Sequence, residues 1–256
     1  MFHNKRKSQI SLIILLGIVI FIIVGVFLYE RSQVVREPQI KQPSDIASLQ
    51  LFIDSCVEKT AKEAVSFVAS QGGYYIPPEN SLIFWKLNIP YYRKDGNYHI
   101  PNLDNIKDSL LFYMIDNIPH CANLSIFIER GYKIETGELQ VNVSINPKNV
   151  LFDVEYPIRV YTDNKETYFS DFGAVVNTNF LVLYNSAVEY MDYQKNENSS
   201  LLISKLMDIS RNNNLNFEVS SIGMGSVIIS FIDKKIHINN KPLVFSFAVD
   251  YSIGSG

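Results

Sequence analysis

The sequence predicts an α+β protein: an N-terminal transmembrane helix followed by an extracytoplasmic domain of helices packed on antiparallel sheet. Three observations predict it. Residues 10–29 carry no charge. Segments opening near Ser44 and Asn102 place apolar residues three and four apart, the helical spacing. From Leu124 onward the apolar period changes to two, the spacing of strands with one wet face.

At about 1.5 Å per residue, the run 10–29 makes a helix about 30 Å long, which matches the hydrocarbon core of a bilayer. Lys5, Arg6 and Lys7 precede it, and Glu30, Arg31, Arg36 and Glu37 follow. The positive-inside rule then keeps residues 1–9 in the cytoplasm as a basic tail. The expected location is the cell membrane, single-pass, with everything beyond the span outside. A cleaved secretory signal is the alternative, but its apolar stretch is usually about 7–15 residues and ends in a small-x-small site. Residues 26–30 offer no such site. A buried soluble helix is disfavoured, since no other helix could cover every side of so apolar a rod.

Residues 30–43 read as a linker, because Glu37-Pro38 and Gln42-Pro43 both disfavour helix before proline. Residues 44–256 are the extracytoplasmic domain, divisible into a helical and hairpin part, 44–123, and a sheet-rich part, 124–256. Hydrophobic residues make up 47% of the chain, with 16 Phe and 15 Tyr, which supports a packed core rather than a disordered stalk. The formal net charge is −3; setting aside Lys5, Arg6 and Lys7 leaves 20 Lys+Arg against 26 Asp+Glu, or −6. Phosphate backbones repel such a domain, so nucleic acid is excluded as a partner.

Two cysteines, Cys56 and Cys121, fall outside the membrane in this topology. An oxidising exterior favours a disulfide between them over two buried thiols.

Ser44 is the expected N-cap of the first helix, with Asp45 in its first turn and an end near Gln71. Ile46, Leu49, Ile53, Cys56, Ala64 and Phe67 form its stripe, with one step over Thr60. Gly72-Gly73 stops it, one of the two taking the left-handed conformation. A strand is expected over 81–87, then a hairpin over 91–100 that turns at Asp95-Gly96. Asn102 opens the second helix, which Pro119 stops, with Cys121 just beyond, so that the two helices are stapled. Strands follow over 139–145, 152–160 and 166–176, separated by turns at Thr136-Gly137, Asn146-Pro147 and Asp163-Asn164. Pro157 is expected at an edge or bulge. Helices near 178–195 and 200–211 and strands near 215–220, 226–233 and 242–251 complete the reading.

Lys5-Arg6-Lys7-Ser8-Gln9-Ile10-Ser11 resembles the class III signal of archaeal type IV pilins, in which a peptidase cuts before a Gln-x-Ser that opens the apolar stalk. That family usually has Gly where Ser8 stands and Glu where Ile13 stands. Gln71-Gly72-Gly73 after a Cys-bearing helix, with Pro119-His120-Cys121 later, is similar to uncharacterised single-pass membrane proteins of small-genome archaea. That resemblance implies the architecture and carries no activity.

The residues give little sign of catalysis. His99, His120 and His237 lie far apart, with no pair at metal-ligand spacing. Asp171-Phe172-Gly173 spells the kinase magnesium tripeptide without a glycine-rich loop or catalytic His-Arg-Asp, and it reads as strand. Gly223-Met224-Gly225 lacks the third glycine of a dinucleotide fingerprint and reads as loop. Gly-x-Ser-x-Gly and Ser-x-x-Lys do not occur. Asp153 and Glu155 share a strand face, where a carboxylate pair would suit acid–base work or Ca²⁺; a solvated face balanced by Arg159 is the favoured account. No cofactor and no metal is expected.

Asn123, Asn142 and Asn198 open N-glycosylation triplets, and Asn142 should face water opposite Val141 and Val143. Tyr91, Tyr92 and Tyr98, with Tyr74-Tyr75, are the candidate contact residues, weighed against the favoured alternative that they are core and strand-pair rings.

The expected role is therefore structural or binding: a membrane-anchored cell-surface protein meeting other surface proteins or glycans. One rival is a pilin-like filament subunit cleaved before Gln9. The other is an envelope hydrolase whose dispersed Ser, His or Asp/Glu converge in a pocket.

Overall fold

A computed structural model describes residues 45–162, 165–196, 200–223 and 225–251. The tail, the apolar run 10–29, the linker 30–43, Ser44 and Asn198 lie outside the described residues. Among the described residues no helix is long and apolar enough to cross a membrane. The described residues form one compact unit, α+β with mainly antiparallel sheets.

Helix α1, Asp45–Ser70, is the longest described helix. Leu49, Ile53, Cys56, Ala61, Val65 and Val68 are buried along it. Thr60 is buried too, so the step over it in the apolar stripe is not a gap on the wet side. Four strands follow: β1 Leu82–Phe84, β2 Leu87–Ile89, β3 Tyr91–Lys94 and β4 Asn97–Tyr98. The segment expected as one strand over 81–87 is instead a tight hairpin in which Leu82 faces Ile89 and Phe84 faces Leu87. The chain reverses at Trp85-Lys86, a pair with no turn-forming residue type, so the sequence gives no turn signal there.

Helix α2, Leu103–Cys121, opens on Asn102, whose side chain accepts from Asn105 N while Asn105 returns the bond. It runs through Pro119 instead of stopping there. Proline so close to a helix end removes one backbone donor, and the last turn survives with Ala122 N donating to Ile118 O at 2.7 Å. That extra turn brings Cys121 to α1. Cys56 and Cys121 are bonded, S–S 2.10 Å and Cα–Cα 5.8 Å, across 65 residues of sequence.

After a short helix α3, Ser125–Ile128, comes a meander of β5 Lys133–Thr136, β6 Gln140–Ile145, β7 Asn149–Thr162 and β8 Lys165–Asn177. Strand β7 pairs along its whole length with β8 on one side, and with β6 then β5 on the other. Phe152, Val154, Tyr156, Ile158 and Val160 are buried, whereas Asp153, Glu155 and Arg159 are exposed, the expected alternation. Pro157 sits at a register shift between Glu155 and Ile158, so it breaks no ladder.

Helices α4, Phe180–Asn196, and α5, Ile203–Asn213, precede β9 Asn216–Ser221, β10 Ser226–Ile238 and β11 Lys241–Asp250. The second sheet runs β4-β3-β11-β10-β9. Its β3–β11 pairing is parallel, a long-range join that no local pattern announces. Helix α1 packs against β7, β8, β11 and α2, and α4 covers β10 and β11. Buried Asp233 secures the second contact: it accepts from Lys235 N and Ile236 N at a register shift of β10, and from Asn179 Nδ2 at 2.8 Å just ahead of α4.

The join between α1 and the strands is close-packed. Gly72 has φ +57, and a Cβ there would meet Pro90 Cγ and Ser246 O at 2.8 Å. Gln71 is buried; its Nε2 donates to Tyr74 O and Tyr75 O, and its Oε1 accepts from Asn88 N at 3.1 Å. Tyr92 donates to Gly72 O at 2.8 Å.

Three outcomes follow for chemical denaturation. Gly72→Asn should lower the unfolding free energy by more than about 2 kcal/mol, since asparagine tolerates the dihedral but not the contact. Gly96→Asn, at φ +77 with nothing within 4 Å, should change it by less than about 0.5 kcal/mol. Replacing both Cys56 and Cys121 by Ala should cost about 2–4 kcal/mol, and denatured unreduced protein should show no titratable thiol.

Candidate functional site

The end of α1 sets the direction of everything up to β3. From Gly73 the chain passes through a proline-bounded loop and rises into the β1–β2 hairpin. One face of this hairpin is anchored: Leu82 and Ile89 pack on Ile228 and Ala248 of the sheet. Period-two alternation then turns the opposite residues outward. Ile83 is 76% exposed, and Trp85, the only tryptophan, is 88% exposed. Ile76, in the preceding loop, is 78% exposed.

Trp85 also has φ 57. A bulky residue in the left-handed region is a backbone outlier, costing on the order of 1–3 kcal/mol. Its ring lies T-shaped to that of Phe84, centroids 6.4 Å apart. Covering an indole of about 150–250 Å² would return on the order of 4–6 kcal/mol before association costs. Trp85 is thus an exposed indole at a strained backbone position, two residues from exposed Ile83.

Two depressions lie beside this finger. An apolar groove of about 690 Å³ runs between α1, α2 and the β10–β11 turn, and Leu87 of the finger forms part of its wall. Phe67 and Tyr113 line it, centroids 5.4 Å apart, and Tyr75 stacks edge-on behind them at 5.2 Å from Tyr113. Glu63 and Lys241 are its charged residues. Burial, reinforced by the Glu63 carboxylate, pushes the Tyr113 phenol above its ordinary value. On the other side a smaller cleft, about 390 Å³, lies between the 74–80 loop and the β3–β4 turn. Tyr74, Asn80, Tyr91, Lys94 and His99 are among its lining residues.

The candidate tyrosines divide. Tyr92 is fully buried and stacks on Phe247 at 4.7 Å, so it is a core ring and is withdrawn as a contact residue. Tyr91 is half-buried, its hydroxyl 2.9 Å from Ser226 Oγ and its ring under Lys94 Nζ at 4.9 Å. Tyr98 is half-buried beneath Lys195, whose Nζ lies 5.7 Å from the ring centroid. The prominent surface ring is Trp85, which lies in the segment expected as a single strand over 81–87. Its apolar neighbours in a proline-bounded segment were the available signal.

The remaining candidates show no convergent chemistry. Among the described residues no group of three or more His, Cys, Asp or Glu could hold a metal ion. Asp171-Phe172-Gly173 lies within β8, as expected. Glu155 stands opposite Asp171 and Asp153 opposite Asn142 on the wet face of the meander. Arg159 lies over the Tyr168 ring at 5.9 Å, beyond the bulge, rather than between the carboxylates. Asn123 and Asn142 are exposed, Asn142 with its neighbours Val141 and Val143 turned inward.

No protein-family model, no curated protein and no solved structure matches this chain.

Buried phenols make the domain sensitive to alkali. Burial raises the pKa of Tyr92, Tyr190 and Tyr251, and the Tyr190–Tyr251 hydroxyl contact at 2.8 Å raises that of Tyr251 further. Below about pH 10 these groups are neutral both folded and unfolded, and stability is unaffected. Above it the unfolded chain ionises first and binds fewer protons, so stability falls as pH rises. The unfolding midpoint should drop steeply from about pH 10 upward, and Tyr251→Phe should shallow that slope. A slope unchanged in the variant would refute the assignment.

Proposed function

We propose that this protein is a membrane-tethered surface domain that works by binding, with the β1–β2 finger as its contact element. The single observation that carries this reading is Trp85: 88% exposed, at φ 57, on a hairpin whose other face is firmly packed. Retaining a bulky indole where glycine would sit without strain makes sense when that indole is covered by something else.

Two further features support the extracytoplasmic setting. The Cys56–Cys121 bond suits an oxidising compartment, and the uncharged run 10–29 with Lys5, Arg6 and Lys7 before it suits an N-in anchor. No role in catalysis is assigned, and the contacts envisaged are with protein surfaces.

Protease treatment of intact cells should remove an epitope placed on the C-terminal strands and leave one placed on residues 1–9 intact. Survival of the C-terminal epitope until the cells are lysed would overturn the topology. Trp85→Gly should raise the unfolding free energy by up to about 1 kcal/mol, by relieving the backbone, while abolishing the contact. A loss of more than about 2 kcal/mol would instead make Trp85 a structural residue.

A further inference from the structure

The finger and the apolar groove are neighbours: Leu87 belongs to β2 and to the groove wall. A knob beside a hole is self-complementary under a two-fold axis, because each copy then offers what the other needs. Resting on the reading of the finger as the contact element, we propose that its occupant is the groove of a second copy of this chain. Trp85 and Ile83 of each copy fill the groove of the other.

Size and lining agree, and one charge pair sets the register. A closed cavity of about 150 Å³ takes one six-membered ring, so a groove of about 690 Å³ accommodates an indole with an isoleucine beside it. Phe67, Tyr113, Leu243 and Val244 give it an apolar lining suited to both. The finger of the same copy leaves it open, since Trp85 remains 88% exposed. The turn that carries Trp85 also carries exposed Lys86, and the groove holds Glu63 on its α1 wall and Lys241 on its β11 wall. Glu63 is held only loosely by its own chain, with Lys59 Nζ 4.0 Å away and its side chain 41% exposed. Lys86 of one copy therefore meets Glu63 of the other, and the two-fold axis repeats the pair. In a domain carrying an excess of acidic residues, this local match specifies the partner and the register.

Photo-crosslinking of the full chain in cells tests the proposal. Benzoylphenylalanine replacing Trp85 should give, on irradiation, an adduct of dimer mass whose crosslink maps to Phe67, Tyr113 or residues 238–246. Ser66→Trp, which fills the groove without touching the finger, should lower the yield of that adduct at least about tenfold at unchanged protein level, a loss equivalent to about 1.4 kcal/mol of contact. Lys86→Glu should weaken the adduct and Glu63→Lys added to it should restore it, a rescue that does not depend on Ser66→Trp folding.

A dimer adduct that maps outside the groove, or one insensitive to these variants, overturns the proposal. An adduct to a different protein overturns it while leaving the finger as the contact element. The absence of any protein adduct overturns both readings.

Discussion

At the end of α1 the chain has to leave a buried helix, pass close to the backbone of β11 at Gly72 and start a hairpin at Leu82. Nothing larger than hydrogen fits at Gly72, where a Cβ would stand 2.8 Å from Ser246 O. Around it, three buried groups bind backbone rather than each other: the Gln71 amide at both ends, and the Tyr92 hydroxyl. Gln71 Oε1 accepts from Asn88 N, 17 positions on, and Tyr92 reaches back 20 positions to Gly72 O, so the join holds α1, β2 and β3 in one fixed relation. The finger is rigid at its base because of this join, and the same constraint aims its tip away from the domain.

The disulfide acts on the other length of α1. Cys56 lies fourteen positions before Ser70 along the helix, so one staple fixes the middle of α1 to α2 while the glycine join fixes its end. Between the two, small residues such as Ala61 and Ala64 let α1 approach the meander closely. The meander meets the same demand in its own way: Gly137 lies where a Cβ would be 2.9 Å from Pro157, and Gly137 N donates to Pro157 O at 2.7 Å. Where β5 gives way to β6, backbone touches backbone at the bulge of β7.

Much of this was legible in the residues. Helix spacing from Ile46 to Phe67 and from Leu103 to Met114 located α1 and α2, and the alternation from Phe152 to Val160 located β7 with its wet face. Cysteine chemistry in an expected oxidising setting suggested the bond that the fold contains. What escaped depended on tertiary context. Pro119 stays inside α2 because its place near the helix end costs a single hydrogen bond. The parallel partnership of β3 with β11 joins segments over a hundred and fifty residues apart. The reversal at Trp85-Lys86 uses no glycine, asparagine or aspartate, so a run of apolar residues looked like one strand. Exposure misled for the same reason: Tyr92 and Trp85 are both rings in short strand-like segments, and only the packing of β11 behind one of them tells core from surface.

The lone indole has a practical consequence for anyone following this fold optically. Ordinary globular proteins bury their tryptophan, and its emission shifts to the red as denaturant floods the core. Here the chromophore already stands in water in the native state, so that signal will scarcely register the collapse of the interior. Circular dichroism, or the environment of the buried phenols, will report the transition instead, and any blue shift of the indole will announce that something has come to rest upon it.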